Sequence, residues 1–237
     1  MKLGIQSYSL RKFPFEEALR ISSELGLKYI EAFPGHLPPT LDKVDTIKEL
    51  ERKYGVKVIA HGVNRMPPEK ENLENLFRFA KEVGIEVLTA DPEPKALPMI
   101  NELVQEYEVK VAIHNHGPGH RYARFKDVLQ AIEKYSELIG MCLDTGHLVR
   151  AGDDIVEAAK ALGSRLHGVH IKDINEQKED VIVGQGILDF KEFFRVVKET
   201  GVLERAIIIL EYELEPDNPV PSIRKSLEYI RSVLGEL

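Results

Sequence analysis

In the stretch VKVAIHNH, residues 109–116, alternate side chains would lie on opposite faces of a β-strand, and the two faces differ in character. His114 and His116 would share one face of this strand, while Val111 and Ile113 would share the other. The apolar face is suited to packing against helices, and the opposite face ends in two imidazoles. The stretch therefore predicts a buried strand that carries ionisable groups to its carboxyl end.

Seven further apolar runs have the same character, and most of them end in an ionisable residue. The eight predicted strands are Leu3–Tyr8, Lys28–Phe33, Val56–His61, Glu86–Ala90, Val109–Asn115, Ile139–Asp144, Leu166–Ile171 and Ala206–Glu211. Segments with helical spacing alternate with them, for example at Phe15–Leu25, Leu41–Tyr54, Glu71–Val83, Phe125–Tyr135, Ile155–Leu162 and Phe190–Thr200, and the final segment, Ser222–Leu234, completes eight β/α units. Eight such units favour closure over an open sheet. The predicted fold is α/β, a single (β/α)8 TIM barrel domain over residues 1–237.

Composition narrows the class of protein. The chain has 237 residues and a formal charge of −7, which argues against a nucleic-acid or membrane partner. No apolar stretch approaches the roughly 18 residues of a membrane span, and the opening MKLGIQSYSL shows no signal-peptide pattern. We expect a cytoplasmic protein. The sequence leaves open whether it forms a homo-oligomer.

The fifth to eighth predicted strands all end in residue types that bind metals. His114 and His170 offer imidazole nitrogens, and Asp144 and Glu211 offer carboxylate oxygens. Because the carboxyl ends of barrel strands meet at one rim, these four side chains would surround one point. Each alone could be a hydrogen-bonded rim residue, but together they suit one divalent transition metal ion.

Other polar residues follow these ligands closely. His147, in Asp-Thr-Gly-His, could contact substrate, shuttle a proton, bind a second metal or merely cap a helix. His116 lies two residues past His114. Lys172, at the end of the seventh strand, could neutralise an oxyanion or form a salt bridge with Glu213. We assign His116, His147 and Lys172 to catalysis and Glu213 to substrate binding.

The second and third strands add two candidates. Glu31, in Tyr-Ile-Glu-Ala-Phe, and His61, in Ala-His-Gly, could hold substrate hydroxyls, act as acid or base, or serve as structural polar residues. We assign Glu31 to catalysis and His61 to substrate binding. Arg150, like Arg65 and Arg121, lies in a predicted rim loop and could bind a phosphate or remain solvated. We assign Arg150 to substrate binding.

Together these motifs resemble the xylose isomerase-like (β/α)8 barrels, a superfamily that includes sugar isomerases, sugar epimerases and the endonuclease IV group. The resemblance covers nearly the whole chain. It is carried by Tyr-Ile-Glu-Ala-Phe at 29–33, Ala-His-Gly at 60–62, Ala-Ile-His-Asn-His-Gly at 112–117, Cys-Leu-Asp-Thr-Gly-His at 142–147, Val-His-Ile-Lys-Asp at 169–173, Gly-Gln-Gly-Ile-Leu-Asp-Phe at 184–190 and Leu-Glu-Tyr-Glu at 210–213. None of these motifs identifies a substrate.

The resemblance implies a metal set of Glu, Asp, His and Glu from the fifth to eighth strands. Asp144, His170 and Glu211 match this set, and His114 stands where the family has its first glutamate. Imidazole differs from carboxylate in geometry and pKa, so proton exchange between two metal-bound glutamates does not transfer directly to this chain. The added nitrogen ligand favours Mn²⁺, Zn²⁺, Fe²⁺ or Co²⁺ over Mg²⁺.

The implied function is a divalent-metal-dependent sugar or sugar phosphate isomerase or epimerase, with a small carbohydrate as substrate. Such an enzyme removes a proton from the carbon next to a carbonyl, and the metal stabilises the resulting enediolate. Glu211 is the expected base, and His114, His116 or Glu31 would return the proton.

Other functions remain open. A metal-dependent keto-sugar lyase or dehydratase begins with the same proton abstraction, and a non-catalytic carbohydrate-binding barrel would account for the replaced glutamate. An abasic-site endonuclease fits poorly, because that branch needs about three metal ions and must bind DNA, which the acidic charge disfavours.

Overall fold

The computed structural model describes residues 1–236 and confirms the closed parallel barrel. Neighbouring strands follow the order β1-β10-β7-β6-β5-β4-β3-β2. The barrel strands are β1 (Lys2–Gln6), β2 (Tyr29–Ala32), β3 (Lys57–Met66), β4 (Val87–Pro92), β5 (Lys110–His114), β6 (Ile139–Asp144), β7 (Leu166–Ile171) and β10 (Ile207–Leu210). A separate antiparallel ribbon pairs β8 (Asp173–Ile174) with β9 (Asp180–Val181).

Nine α-helices accompany the strands within residues 1–236. They are α1 (Phe15–Glu24), α2 (Val44–Tyr54), α3 (Lys70–Val83), α4 (Leu97–Tyr107), α5 (Phe125–Ile132), α6 (Thr145–Arg150), α7 (Ile155–Leu162), α8 (Phe190–Glu199) and α9 (Val220–Gly235). Most bury one apolar face: in α8, Phe190, Phe193 and Val197 are buried, while Lys191 and Arg195 are exposed. In this described part of the chain, no helix combines the length and apolar character needed to cross a membrane.

Four parts of the fold lie outside the predicted elements. Helix α4 (Leu97–Tyr107) fills the connection between β4 and β5, for which the sequence analysis gave no helical range. Strand β3 continues past His61 to Met66 after a register shift, and pairs with β4 as far as Met66 opposite Pro92. Asn64 supports this extension by donating to the carbonyls of His61 and Thr89. Helix α6 and the β8–β9 ribbon are also additional, because both are too short to produce a readable hydrophobic period.

Small residues fill the barrel interior, as the alternation of the sequence predicts. A Cβ at Gly140 would lie 2.1 Å from the Arg165 carbonyl oxygen, and one at Gly168 would lie 3.3 Å from the Cys142 sulfur. These positions lie beneath Asp144 and His170 on the same strand faces. A narrow apolar layer therefore closes the interior and leaves the mouth above it to polar side chains.

Candidate metal centre

Four neighbouring strands bring the predicted ligands together. His114 ends β5, Asp144 ends β6, His170 is the penultimate residue of β7, and Glu211 follows β10. One ligand atom from each residue lies within 4.8 Å of all the others. Side chains separated by up to 97 positions in the sequence, from His114 to Glu211, thus converge because parallel strands end at one rim.

The distances within this group fit a shared cation. His114 Nε2 lies 3.2 Å from His170 Nδ1 and 3.6 Å from Asp144 Oδ2, and His170 Nδ1 lies 3.0 Å from Glu211 Oε2. Two ligands that are each about 2.1 Å from one Zn²⁺ at a tetrahedral angle lie about 3.4 Å apart. In addition, Asp144 Oδ2 is buried and accepts no hydrogen bond within residues 1–236. The residues present therefore fit a divalent metal ion.

A buried lysine borders the centre. Lys172 Nζ lies 3.4 Å from Asp144 Oδ2 and 3.3 Å from Glu211 Oε2, and it also pairs with Glu213. Burial alone would lower the pKa of Lys172, but Asp144, Glu211 and Glu213 outweigh it and raise the pKa well above its usual value. Lys172 is therefore an ammonium, and three carboxylates around one ammonium leave excess negative charge for a metal cation.

Hydrogen bonds fix both the side chain and the backbone of Asp144. Its Oδ1 accepts from the backbone N–H of His147 at 2.7 Å, which caps α6. Asn115 donates to the Asp144 carbonyl at 3.1 Å and accepts from its N–H at 2.8 Å. Burial would raise the pKa of Asp144, but Lys172, His147 and His114 lower it well below the usual value. The carboxylate is thus fixed and ionised.

His116 and His147 extend the centre outward. The His116 ring lies 4.8 Å from that of His114 and 6.2 Å from that of His147, and His120 stacks on it at 4.9 Å. Burial, followed by the neighbouring imidazoles of His114, His120 and His147, lowers the pKa of His116 to about 3. Burial likewise lowers the pKa of His147. Both rings are therefore neutral near pH 7.

Arg150 contacts the end of the β8–β9 ribbon. Its guanidinium donates to Asp180 Oδ1 at 2.6 Å and to the Lys178 carbonyl at 2.9 Å, and Nη1 lies 3.5 Å from His147 Nδ1. These contacts place Arg150 next to His147. Several N–H groups of the Arg150 guanidinium already donate to the β8–β9 ribbon.

Glu31 and His61 lie on the opposite wall of the barrel. Glu31 Oε2 is 2.9 Å from Nε2 of His170, and both side chains are fully buried. His61 Nε2 contacts the Leu37 carbonyl at 2.9 Å, its ring packs edge-on against Phe79, and burial lowers its pKa. Glu31 is therefore joined to the ligand group, whereas His61 contacts Leu37 in the β2–α2 connection and Phe79 on α3.

Two structural residues of the site were missed by the sequence analysis. One is Asn115, which the strand period assigns to the face opposite the histidines. The other is Asp173, whose Oδ2 accepts from the backbone N–H groups of Gly184 and Gly186 at 2.9 and 3.0 Å. Asp173 thereby shapes the loop before α8. Its signal in the sequence is weak, since an aspartate before a glycine-containing loop is common.

A cleft of about 410 Å³ lies beside the site, at the loops before α7 and α8, and its lining includes Val149, Asp154, Ile187 and Asp189. None of the four ligand residues lines it. We therefore locate the site by the converging polar atoms and not by this cleft.

Comparison with solved structures shows the same barrel. An uncharacterized protein from Parabacteroides distasonis has a TM-score of 0.76 at 30% identity, covering 98% of both chains. The IOLI protein with a bound zinc atom has a TM-score of 0.82 at 19% identity, covering 100% of this chain and 99% of the other. D-psicose 3-epimerase in the presence of D-fructose has a TM-score of 0.78 at 15% identity, covering 99% and 100%. The last two likenesses show the fold alone.

Curated relatives match part of the chain. An inosose dehydratase from Mesomycoplasma hyopneumoniae (strain 7448) is 25% identical over 151 residues, covering 55% of this chain and 50% of the relative. Another from Clostridium botulinum (strain Eklund 17B / Type B) is 27% identical over 156 residues, covering 57% and 51%. The chain thus spans about half the length of the curated relatives it matches.

The family model described as xylose isomerase-like TIM barrel matches residues 19–233, which is most of the chain. This match, together with the closed barrel and the ligand group at its mouth, shows that the chain belongs to the xylose isomerase-like TIM barrel family.

Proposed function

We propose that this chain is a divalent-metal-dependent isomerase or epimerase of a small sugar or sugar phosphate. The observation that carries the proposal is the group of four ligand atoms within 4.8 Å of one another. The zinc atom in the IOLI structure and the D-fructose in the D-psicose 3-epimerase structure support this cofactor and substrate class. The cofactor would be one Mn²⁺, Zn²⁺, Fe²⁺ or Co²⁺ ion, held by His114, Asp144, His170 and Glu211.

The surrounding residues suit proton abstraction next to a carbonyl. When bound, the ion would act as a Lewis acid that polarises the carbonyl. Glu211 would take the proton from the adjacent carbon, and the electron pair of the broken C–H bond would shift toward the carbonyl oxygen. Lys172 would donate a hydrogen bond to the negative charge that develops on that oxygen, while Glu213 holds the ammonium in place.

Proton return would fall to the histidine side of the site. His116 is a neutral imidazole, which both donates and accepts hydrogen bonds, so it would give its N–H proton to the carbon of the enediolate. The proton held by Glu211 would then pass to solvent, and His116 would take one back from solvent, which restores both groups. His147 lies beside it and would assist. Arg150 would orient His147 as well as contact substrate, and His61 would support the rim loop that borders the substrate.

A dehydratase is the second candidate, and the inosose dehydratase relatives favour it. The first step would be the same proton abstraction by Glu211. The electron pair would then form a carbon–carbon double bond and expel a hydroxyl from the next carbon, with Lys172 or His147 supplying the proton that completes water.

Product analysis in deuterated water separates the two. We expect metal-loaded protein to convert at least one member of a panel of keto- and aldo-sugars, their phosphates and inososes. An isomer or epimer carrying deuterium at the exchanged carbon indicates the leading proposal, whereas a product lighter by one water indicates the dehydratase. Full turnover by protein stripped of metal would contradict both.

A matched pair of variants ties turnover to the centre. Asp144→Asn should lose activity and metal retention, because it removes a ligand charge. Asp189→Asn alters another aspartate that caps a helix by accepting from a backbone N–H, and asparagine preserves that cap. It should keep both properties. Equal loss in the two variants would show that the effect is not specific to the centre.

A further inference from the structure

Glu31 and His170 meet across the inside of the barrel. Their strands, β2 and β7, are separated by β1 and β10 in the sheet, so the contact is made by side chains alone. Glu31 Oε2 lies 2.9 Å from His170 Nε2, and both side chains are 0% exposed. The second carboxylate oxygen of Glu31 has no hydrogen-bond partner within residues 1–236. In that part of the chain, the contact with His170 is what fixes this carboxylate.

This contact decides which nitrogen of His170 faces the other ligands. A neutral imidazole has one N–H donor and one lone-pair nitrogen, and a carboxylate can only accept. Nδ1 faces a carboxylate as well, but that carboxylate belongs to Glu211, which is itself one of the four ligands, whereas Glu31 is not. With the cation bound to the ligand group, the proton therefore stays on Nε2 beside Glu31 and the lone pair lies on Nδ1. That nitrogen is the one 3.2 Å from His114 Nε2 and 3.0 Å from Glu211 Oε2.

We infer that Glu31 is a positioning residue for the metal centre, which holds His170 as the Nε2–H tautomer with Nδ1 directed at the cation. The inference rests on the proposed metal site. The imidazole ring lies between Glu31 and the remaining ligands, because its two nitrogens contact them from opposite sides. This position is suited to orienting a ligand, and it gives Glu31 a role other than proton transfer with substrate.

Zinc binding to the metal-free protein tests the inference without any sugar. Glu31→Met keeps the side-chain volume but removes the acceptor, and should weaken Zn²⁺ binding by roughly 10–100-fold, the usual effect of losing such a partner. Glu31→Gln keeps an acceptor oxygen and should lose less. Thr89→Val is the matched control: Thr89 is buried on β4 and its hydroxyl has no partner within the described residues, so affinity should not change. Competition with a chelator measures all four affinities.

The ring protons of His170 provide the second readout. In ¹⁵N-labelled wild-type protein with Zn²⁺, His170 should carry its proton on Nε2 and the metal on Nδ1, and Glu31→Gln should preserve this pattern. Zinc on Nε2 in the wild type would overturn the inference even if the methionine variant does not fold. So would a folded Glu31→Met protein with wild-type zinc affinity.

The test also separates this inference from the proposed function. If the wild type does not bind Zn²⁺, the metal centre itself is wrong. If the wild type and Glu31→Met bind equally well, only the role of Glu31 is wrong.

Discussion

His170 and His114 belong to the same ligand group but lie in very different surroundings. His170 has a carboxylate at each nitrogen, with Glu31 at 2.9 Å and Glu211 at 3.0 Å. His114 directs Nε2 at the group, while its Nδ1 is buried and has no hydrogen-bond partner among residues 1–236. The His170 imidazole is held between two carboxylates, whereas the His114 imidazole is held by its contact with His170 and by the rings of His116 and His147.

This difference suggests separate contributions to the centre. The pocket of His170 fixes both tautomer and ring orientation, so His170 should set how tightly a cation binds. His114 has ring contacts to His116 at 4.8 Å and His147 at 6.1 Å, and occupies the position where the family resemblance implies glutamate. Because it supplies nitrogen in place of oxygen, His114 should mainly set which cation is preferred.

The largest expected effect is on metal retention when His170 is removed. His170→Ala deletes a ligand and leaves Glu31 buried without its partner, so affinity should fall by more than the roughly 100-fold seen on losing an outer partner. His114→Ala should cost less, because no second residue is bonded to its Nδ1 in the described chain. Elemental analysis and chelator competition measure both.

Circular dichroism provides the control that both variants fold. Both proteins should retain the circular dichroism of the wild type in the absence of metal. If His114→Ala lost more affinity than His170→Ala, the proposed division between the two histidines would be wrong.

Acid should weaken metal binding through His170. Burial alone would lower its pKa, but Cys142, Glu31 and Glu211 raise it well above 6.5. The Cys142 thiol has its pKa raised to about 11 by burial, so near pH 7 it is neutral and the two carboxylates are responsible. A metal ion must then displace a proton, and affinity should fall by about tenfold for each pH unit below the pKa of His170.

Calorimetry in buffers of different ionisation enthalpy should show about one proton released for each ion bound. The folding stability of the metal-free protein should depend on pH in the opposite direction to metal affinity. The stability contributed by His170 is fully present below pH 6.5 and is lost as the pH rises through its higher folded-state pKa. Zinc affinity that is constant from pH 6 to 7.5 would contradict the prediction that the metal displaces a proton from His170.

Restoring the family glutamate should change selectivity more than affinity. His114→Glu replaces a nitrogen ligand with an oxygen, and we expect the ratio of Mn²⁺ to Zn²⁺ affinity to rise by about tenfold. His116→Glu is the matched control, since this ring lies one step farther from the other ligands, and its ratio should change less. Equal changes in the two variants would show that added charge, and not ligation, is responsible.

The fold was predictable because each barrel strand is a distinct apolar run, as buried parallel strands require. Elements that depend on local geometry were not. The extension of β3 follows a register shift between His61 and Asn64, which a regular alternation cannot reveal. Helix α6 and the β8–β9 ribbon contain too few residues for a period. The sequence thus predicted most of the long elements, with α4 as the exception, and missed the short ones that border the site.

The ligand group was predictable for a different reason, which is that strand ends in a closed barrel must converge. The contact between Glu31 and His170 was not, because it depends on strand tilt and side-chain rotamers across the barrel. Asn115 was missed because it lies on the strand face opposite the histidines, which suggests packing, whereas its amide bonds the backbone of Asp144. Ligand identity was therefore visible in the sequence, and the residues that orient the ligands were not.

The smallest effect should come from Asn115, which links the ends of the strands that carry His114 and Asp144. Asn115→Ala removes two hydrogen bonds to the Asp144 backbone. We expect most of this loss to fall equally on the metal-free and metal-bound states; a difference of about 1 kcal/mol between them, the value of one such bond, lowers metal affinity roughly fivefold. Asn64→Ala removes two side-chain bonds to backbone carbonyls on β3 and β4, so it should lose similar stability and keep its metal affinity. If both variants weakened Zn²⁺ binding equally, general loosening of the rim would be the cause. If only Asn115→Ala weakened Zn²⁺ binding, the position of His114 would depend on the backbone link that Asn115 makes between the two strand ends. We expect this result because His114 Nδ1 has no hydrogen-bond partner within residues 1–236 that could fix the ring instead.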